Sequence, residues 1–67
     1  MNDDRLKANW DQLKGRLKES FGKLTNDDLL AIAGQREQLL GRIRERYVVA
    51  TEEAERRVRQ WEDEVDL

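Results

Sequence analysis

The spacing of the apolar side chains in the first third of the chain restricts its fold more than any other feature. Large apolar residues recur there at steps of three or four, at Leu6, Trp10, Leu13, Leu17, Phe21 and Leu24. On a helix these positions form one narrow stripe, whereas a half-buried strand would show strict alternation. No proline interrupts any part of the chain. The pattern therefore predicts an amphipathic helix over about residues 4–21 and an all-α fold.

Capping signals divide the rest of the chain into three further helices. Thr25 followed three residues later by Asp28 is a capping-box pattern, with Asp in place of the more common Glu. Gly34 is a natural helix stop, and Thr51 before two glutamates indicates another N-cap. The predicted helices cover about residues 26–33, 35–47 and 52–64.

The chain also contains an internal repeat. When it is shifted by 26 positions, residues 11–27 align with residues 37–53, and six of the 17 pairs are identical. Each segment holds a helix with a central glycine, an aromatic residue near its end and a threonine cap. Two related helix–turn–helix units around one shared core would account for this pattern. The alternative is chance similarity between two amphipathic helices, which draw on the same few residue types.

The resulting prediction is a compact four-helix domain that takes up the whole chain, residues 1–67. Leu, Ile, Val and Phe make up only 16 of the 67 residues, while 42% of the residues are charged. That apolar share lies just above the ~20% below which a charged chain is usually disordered, so the core is expected to be small. The predicted core consists of Leu6, Trp10, Leu13, Leu17, Phe21, Leu24, Leu29, Ile32, Leu39, Leu40, Ile43, Tyr47, Val58 and Trp61.

The composition argues against an enzyme. The chain has no Cys and no His, which removes thiolate chemistry, the commonest general base and the commonest transition-metal ligand. Asp27, Asp28 and the acidic C-terminal residues could bind a cation weakly, but they lack the spacing of a calcium loop, and helix capping already accounts for the first two. We therefore expect no catalytic residues, no cofactor and no metal site.

Two glycines stand where helix propensity would not place them. Gly15 and Gly41 lie inside predicted helices, where each costs about 1 kcal/mol relative to Ala. Gly15 lies opposite the apolar stripe, in line with Ala8 and Gly22 at steps of seven. Either this strip is a smooth surface for a partner, or the glycines permit a kink or a close helix crossing; we favour the second explanation. The candidate interaction surface comprises Ala8, Lys14, Gly15, Lys18, Gly22 and Gly41.

The basic residues suggest nucleic acid as an alternative partner. Residues 1–24 and residues 35–50 each carry a net charge of +2, although the whole chain carries −2. Phosphate contacts would come from the basic faces of the first and third predicted helices, at Lys7, Lys14, Lys18, Arg42, Arg44 and Arg46. Interleaved acids and the lack of exposed aromatic residues make an ordinary solvated face the better interpretation.

The sequence shows no targeting or membrane signal. The longest apolar run is the five residues 29–33, and the N-terminus is acidic where a secretory signal would be basic. We therefore expect a monomeric cytoplasmic protein without membrane association.

Several short strings together resemble the CsbD-like family. They are Asn9-Trp10, Lys14-Gly15, Lys18, Gly22-Lys23-Leu24-Thr25 and Asp27-Asp28, then Gly34, Gln38-Leu39, Gly41, Ile43 and Tyr47. The resemblance covers about residues 2–61 and implies a compact four-helix domain in a small soluble bacterial protein of the general stress response. It implies no catalytic or ligand-binding residues. The chain departs from the family pattern at Val48, where many relatives have Gly, and at Arg44, where Gln is common.

These observations lead to three functional hypotheses. The first is a non-enzymatic bacterial stress-response protein that acts through a surface interaction with a protein partner. The second is a nucleic-acid-associated protein that uses the basic faces of the first and third predicted helices. The third is an abundant hydrophilic protectant that needs no specific partner.

Overall fold

The computed structural model describes residues 3–67, and this part of the chain is folded into helices and turns, without a strand. The all-α prediction is therefore confirmed, but five helices are present where four were predicted. They are α1 (Asp3–Ala8), α2 (Trp10–Ser20), α3 (Asn26–Ile32), α4 (Arg36–Tyr47) and α5 (Thr51–Glu64).

The single helix predicted over residues 4–21 is interrupted at Asn9. The backbone of Asn9 leaves helical geometry, with φ −110° and ψ 20°. Its side-chain amide and its backbone N–H both donate to the carbonyl of Arg5, at 2.9 and 3.1 Å. An asparagine side chain that bonds the preceding turn competes with the helical pattern in this way. Because Leu13 still donates to the Asn9 carbonyl at 2.9 Å, the break is local and the apolar stripe keeps its phase.

The core is close to the predicted one. Eleven of the 14 predicted residues are buried, and the other three, Trp10, Leu40 and Tyr47, are partly buried against them. Ala54, which was not predicted as a core residue, is fully buried on α5. The rings of Phe21 and Tyr47 meet edge to face, with centroids 6.1 Å apart. All five helices contribute to this one cluster.

The helix starts are only partly as predicted. α3 has the predicted capping box: the Asp28 N–H donates to the Thr25 hydroxyl at 3.1 Å, and the Thr25 N–H donates to the Asp28 carboxylate at 2.9 Å. The second predicted threonine cap is wrong. Ala50 is the N-cap of α5, and no side chain caps that end, so Thr51 lies within the first helical turn.

The internal repeat agrees with the burial pattern but not with the caps. Leu13 and Leu39, which align across the shift of 26 positions, are both buried, and so are Leu17 and Ile43. Because Thr25 caps a helix and Thr51 does not, the two segments differ at their second helix start. The organisation into two related units stays a prediction.

Val48 ends α4 in a left-handed conformation, with φ 53° and ψ 56°. A β-branched residue rarely adopts this geometry, which costs an L-residue about 1–2 kcal/mol. The Val48 side chain is 87% exposed, so packing does not offset that cost. Val48→Gly is therefore expected to raise the free energy of unfolding by about 1 kcal/mol, measured by urea denaturation. Val48→Ala, which keeps a Cβ, is the matched control and is expected to gain less; equal stability of Val48→Gly and wild type would contradict the prediction.

Candidate interaction surface

Three of the six predicted surface residues line one groove between α2 and α3. The groove has a volume of about 390 Å³ and is called here the α2–α3 groove. Its lining residues are Trp10, Lys14, Gly15, Lys18, Asn26, Leu29 and Leu30. Ala8, Gly22 and Gly41 do not line it, so the structure does not bring all six predicted residues together.

The apolar part of the groove lining comes from Trp10, Leu29 and Leu30. Leu30 is 78% exposed, and Trp10 is only partly buried. On α3 the residues Asp28, Leu29 and Ile32 face inward, which leaves Leu30 on the outer side of the helix. A single exposed leucine is common on protein surfaces, whereas an exposed leucine that continues into a partly buried tryptophan forms a patch.

The groove carries positive charge in a chain that is acidic overall. Lys14 and Lys18 stand one helical turn apart on α2, and no acidic residue is among the lining residues. The Lys18 amine donates to the Asn26 side-chain oxygen at 2.9 Å, which holds it across the groove. The Lys14 amine lies 3.9 Å from the carboxylate of Asp11, a loose and exposed pair. Both lysine side chains are exposed, so a negatively charged partner can reach the two amines.

The close-crossing explanation for Gly15 and Gly41 is wrong. A Cβ built on either residue, or on Gly22, meets no neighbouring atom within 4 Å. The helix break in the first segment lies at Asn9, so Gly15 does not mark a kink. Gly34 is the glycine that close packing requires, since a Cβ there would lie 2.9 Å from the Lys7 Cα. The role of Gly15 in binding stays a prediction.

A buried ion-pair cluster joins α3 to α4. The Asp28 side chain, 1% exposed, accepts hydrogen bonds from Arg46 Nε at 2.7 Å and from Arg46 Nη2 at 2.9 Å, while Arg42 lies at 3.3 Å. The hydrogen bonds from Arg46, with further ones from Thr25, outweigh desolvation and hold the pKa of Asp28 at about 2. Sequence reasoning identified the cap but missed these partners. Two of the three arginines assigned to a basic face therefore stabilise the fold.

A second ion pair ties α4 to α5. Glu62, which belongs to the acidic C-terminal run, is buried and accepts hydrogen bonds from Arg36 Nε at 2.9 Å and from Arg36 Nη2 at 3.3 Å. The acidic C-terminal residues were considered above as weak cation ligands. Glu62 does not fit this role, because its carboxylate already pairs with Arg36. In the part of the chain that the structure describes, no three acidic residues are grouped so as to hold a metal ion.

A polar cleft lies between the end of α2 and one face of α5, with a volume of about 430 Å³. Glu53 pairs there with Arg56 and with Arg57, whose Nε lies 2.9 Å from Glu53 Oε2, and these contacts lower the pKa of Glu53. The Arg57 guanidinium also stacks on the Tyr47 ring, 5.1 Å from its centroid. Because Glu53, Arg56 and Arg57 are paired with one another within the chain, this cleft offers less to a ligand than the α2–α3 groove.

The described residues thus define a small, highly charged, all-helical protein with an apolar groove edged by lysines. None of the helices in residues 3–67 is long and apolar enough to cross a membrane. The sequence profile of the CsbD-like family matches residues 4–56, and the chain belongs to this family.

Similar proteins occur in several bacteria. The UPF0337 protein ECA0631 of Pectobacterium atrosepticum is 56% identical over 63 residues, which are 94% of this chain and 91% of the relative. The UPF0337 protein YjbJ of Escherichia coli strain K12 is 50% identical over 62 residues, 92% of this chain and 90% of the relative. The UPF0337 protein NE2439 of Nitrosomonas europaea is 47% identical over 66 residues, 98% of this chain and 70% of the relative. No solved structure gives a significant match.

Proposed function

We propose that this CsbD-like protein is a non-enzymatic stress-response protein that acts as an interaction module and binds a protein partner in the α2–α3 groove. The observation that carries the proposal is Leu30, a 78% exposed leucine that lines the groove together with the partly buried Trp10. The core is complete without Leu30, so the fold does not explain an apolar residue at this position. Burying it against a partner would contribute roughly 1.5–3 kcal/mol to binding.

The biological setting of the proposal comes from the family. CsbD-like membership supports a role in the bacterial general stress response. We propose that the protein is a cytoplasmic monomer until it meets its partner. A fold held by a small core and by buried ion pairs suits a compact carrier of one binding surface.

Affinity capture from stressed and unstressed bacterial cells tests the proposal. The wild-type protein is compared with Leu30→Glu, which places a charge in the groove without touching the core. Val48→Glu is the matched control, because Val48 is the other large exposed apolar residue among residues 5–67 and does not line the groove. We expect a partner that wild type and Val48→Glu recover and Leu30→Glu loses. If all three baits recover the same background, a bulk protectant becomes the better explanation.

Binding to nucleic acid is the competing hypothesis, and the ion pairs weigh against it. Arg42 and Arg46, which would supply phosphate contacts from α4, already bond the buried Asp28. Titration with duplex DNA at about 50 and 200 mM salt separates the two hypotheses. Tight binding at low salt that falls steeply at the higher salt would favour nucleic acid over a protein partner.

A further inference from the structure

The α2–α3 groove is long enough to hold a short helix. Along α2 it runs from Trp10 through Lys14 to Lys18, a distance of about 12 Å at 1.5 Å per residue. Two turns of a helix span a similar length. The opposite wall is formed by Asn26, Leu29 and Leu30 of α3, so the groove is bounded on both sides by helices.

The backbone of the protein limits which partner geometry fits. Residues 3–67 contain no strand, so the groove walls offer no sheet edge whose N–H and C=O groups a partner strand could pair with. A segment that docks here therefore satisfies its backbone hydrogen bonds within itself or with water. A helix does so, and it presents apolar side chains on one face at spacings of three and four residues.

Gly15 lets such a helix come close. It lines the groove in the middle of α2, and a Cβ placed there would meet nothing within 4 Å of the chain's own atoms. The glycine therefore leaves open space in the groove that the exposed Leu30 also lines. A partner backbone approaches a glycine more closely than any other residue.

The charges of the groove select the partner further. Lys14 and Lys18 line the groove together with its apolar residues, and no acidic residue is among the lining residues. Like charges placed against these lysines would be repelled, whereas carboxylates one turn apart on a partner helix would meet both amines.

We infer that the occupant of the α2–α3 groove is an amphipathic helix of a partner protein, with leucine-like side chains on one face and acidic residues beside them. The inference rests on the proposed function and names its partner class. The apolar face covers Trp10 and Leu30, the helix backbone passes over Gly15, and the acids pair with Lys14 and Lys18.

Designed peptides and nuclear magnetic resonance test the inference on the full chain. The probe is a helical peptide of about 15 residues with leucines at positions i, i+3 and i+7 and glutamates beside them. A second peptide carries lysines in place of the glutamates. We expect the acidic peptide to shift the Trp10 indole signal and the Gly15 and Leu30 amide signals, while the indole of Trp61, buried in the core, stays in place. The basic peptide is expected to bind at least about tenfold more weakly.

Matched variants locate the contact. Leu30→Glu is expected to weaken binding of the acidic peptide at least about tenfold. Gly15→Ala is expected to weaken it as well, while Gly41→Ala, an equally open helix glycine outside the groove, leaves it unchanged. Circular dichroism confirms that each variant is folded. Equal binding of both peptides, or signal shifts elsewhere on the protein, would overturn the inference.

Other occupants are outcomes of the same set of variants. Dimerisation in sedimentation that Leu30→Glu abolishes would replace the partner helix by a second copy of this chain. Binding to vesicles of anionic lipid that Leu30→Glu abolishes would replace it by a membrane surface. Cells could yield a partner whose capture depends on Leu30 but which an excess of the acidic peptide does not displace. In that case the inference about the helix fails and the proposed function stands. Failure of both peptide binding and partner capture removes both.

Discussion

Replacing Asp28 with alanine is expected to lower the free energy of unfolding by about 3 kcal/mol. The change removes the carboxylate that caps α3 through the Thr25 N–H and that binds Arg46 with two hydrogen bonds. Breaking a buried pair usually costs about 3–5 kcal/mol; we expect the lower end, because Arg42 and Arg46 are partly exposed and regain water. Urea denaturation at neutral pH measures the loss.

The next residue supplies the control for Asp28. Asp27 is also an acid in the first turn of α3, but it is exposed. Asp27→Ala removes the same charge from the same helix end and is expected to cost less than about 0.5 kcal/mol. If the two alanine variants were equally stable, the buried cluster would contribute nothing beyond the helix dipole. Arg46→Ala, alone and combined with Asp28→Ala, completes a double-mutant cycle, which separates the Arg46 contact from the cap.

The same cluster produces a defined dependence of stability on pH. The pKa of Asp28 is about 2 in the folded chain, below its ordinary value of 3.8, so the folded state binds the proton less readily than the unfolded state. Its contribution is therefore complete above about pH 5 and is lost progressively as the pH falls through 3.8 and toward 2. The shift corresponds to stability on the order of 2 kcal/mol. Asp28→Asn is expected to lack this part of the acid transition in denaturation experiments between pH 5 and 2.

Local sequence signals, namely apolar spacing and helix caps, predicted most of the helices of this protein. Features that depend on contacts between distant residues could not be predicted from those signals. The apolar stripe identified Leu13 and Leu17 as core, and the capping box placed the start of α3. The break at Asn9 could not be predicted from the apolar spacing, because the apolar residues before and after it remain on the same face. The arginine partners of Asp28 lie 14 and 18 residues away, a distance that spacing rules within one helix do not cover.

The α2–α3 groove was predicted only in part, because local spacing shows which residues share one side of a helix but not which helix lies beside them. Lys14, Gly15 and Lys18 share one side of α2, which helical periodicity shows directly. The predicted core included Leu29 and left out Leu30, but Leu30 was not assigned to the interaction surface, because periodicity within α2 does not show that α3 lies beside Lys14 and Lys18. The exposure of Leu30 depends on how α3 rotates against α4, where the Asp28 cluster orients the helix.

Replacing Gly34 with alanine is the second change with a large expected effect, a loss of at least about 2–3 kcal/mol in the free energy of unfolding. Gly34 is buried between α3 and α4 with φ +81°, a conformation that L side chains rarely adopt. An added Cβ would lie 2.9 Å from the Lys7 Cα and 3.3 Å from the Trp10 Cβ. Both the backbone strain and the collision act on the folded state, and the colliding Lys7 atom belongs to the backbone and cannot turn away.

Alanine substitution at two other glycines provides the matched control for Gly34→Ala. Gly15→Ala and Gly41→Ala place a Cβ in open space inside a helix, so each is expected to raise the stability by up to about 1 kcal/mol. Thermal and urea denaturation of the three variants should therefore give changes of opposite sign for one chemical substitution. A loss at Gly15 would mean that this glycine serves the fold and not a partner. We expect Gly15→Ala to be more stable than wild type and to bind the acidic peptide more weakly. This combination would show that the glycine serves partner binding at the surface of α2 and not the stability of the fold.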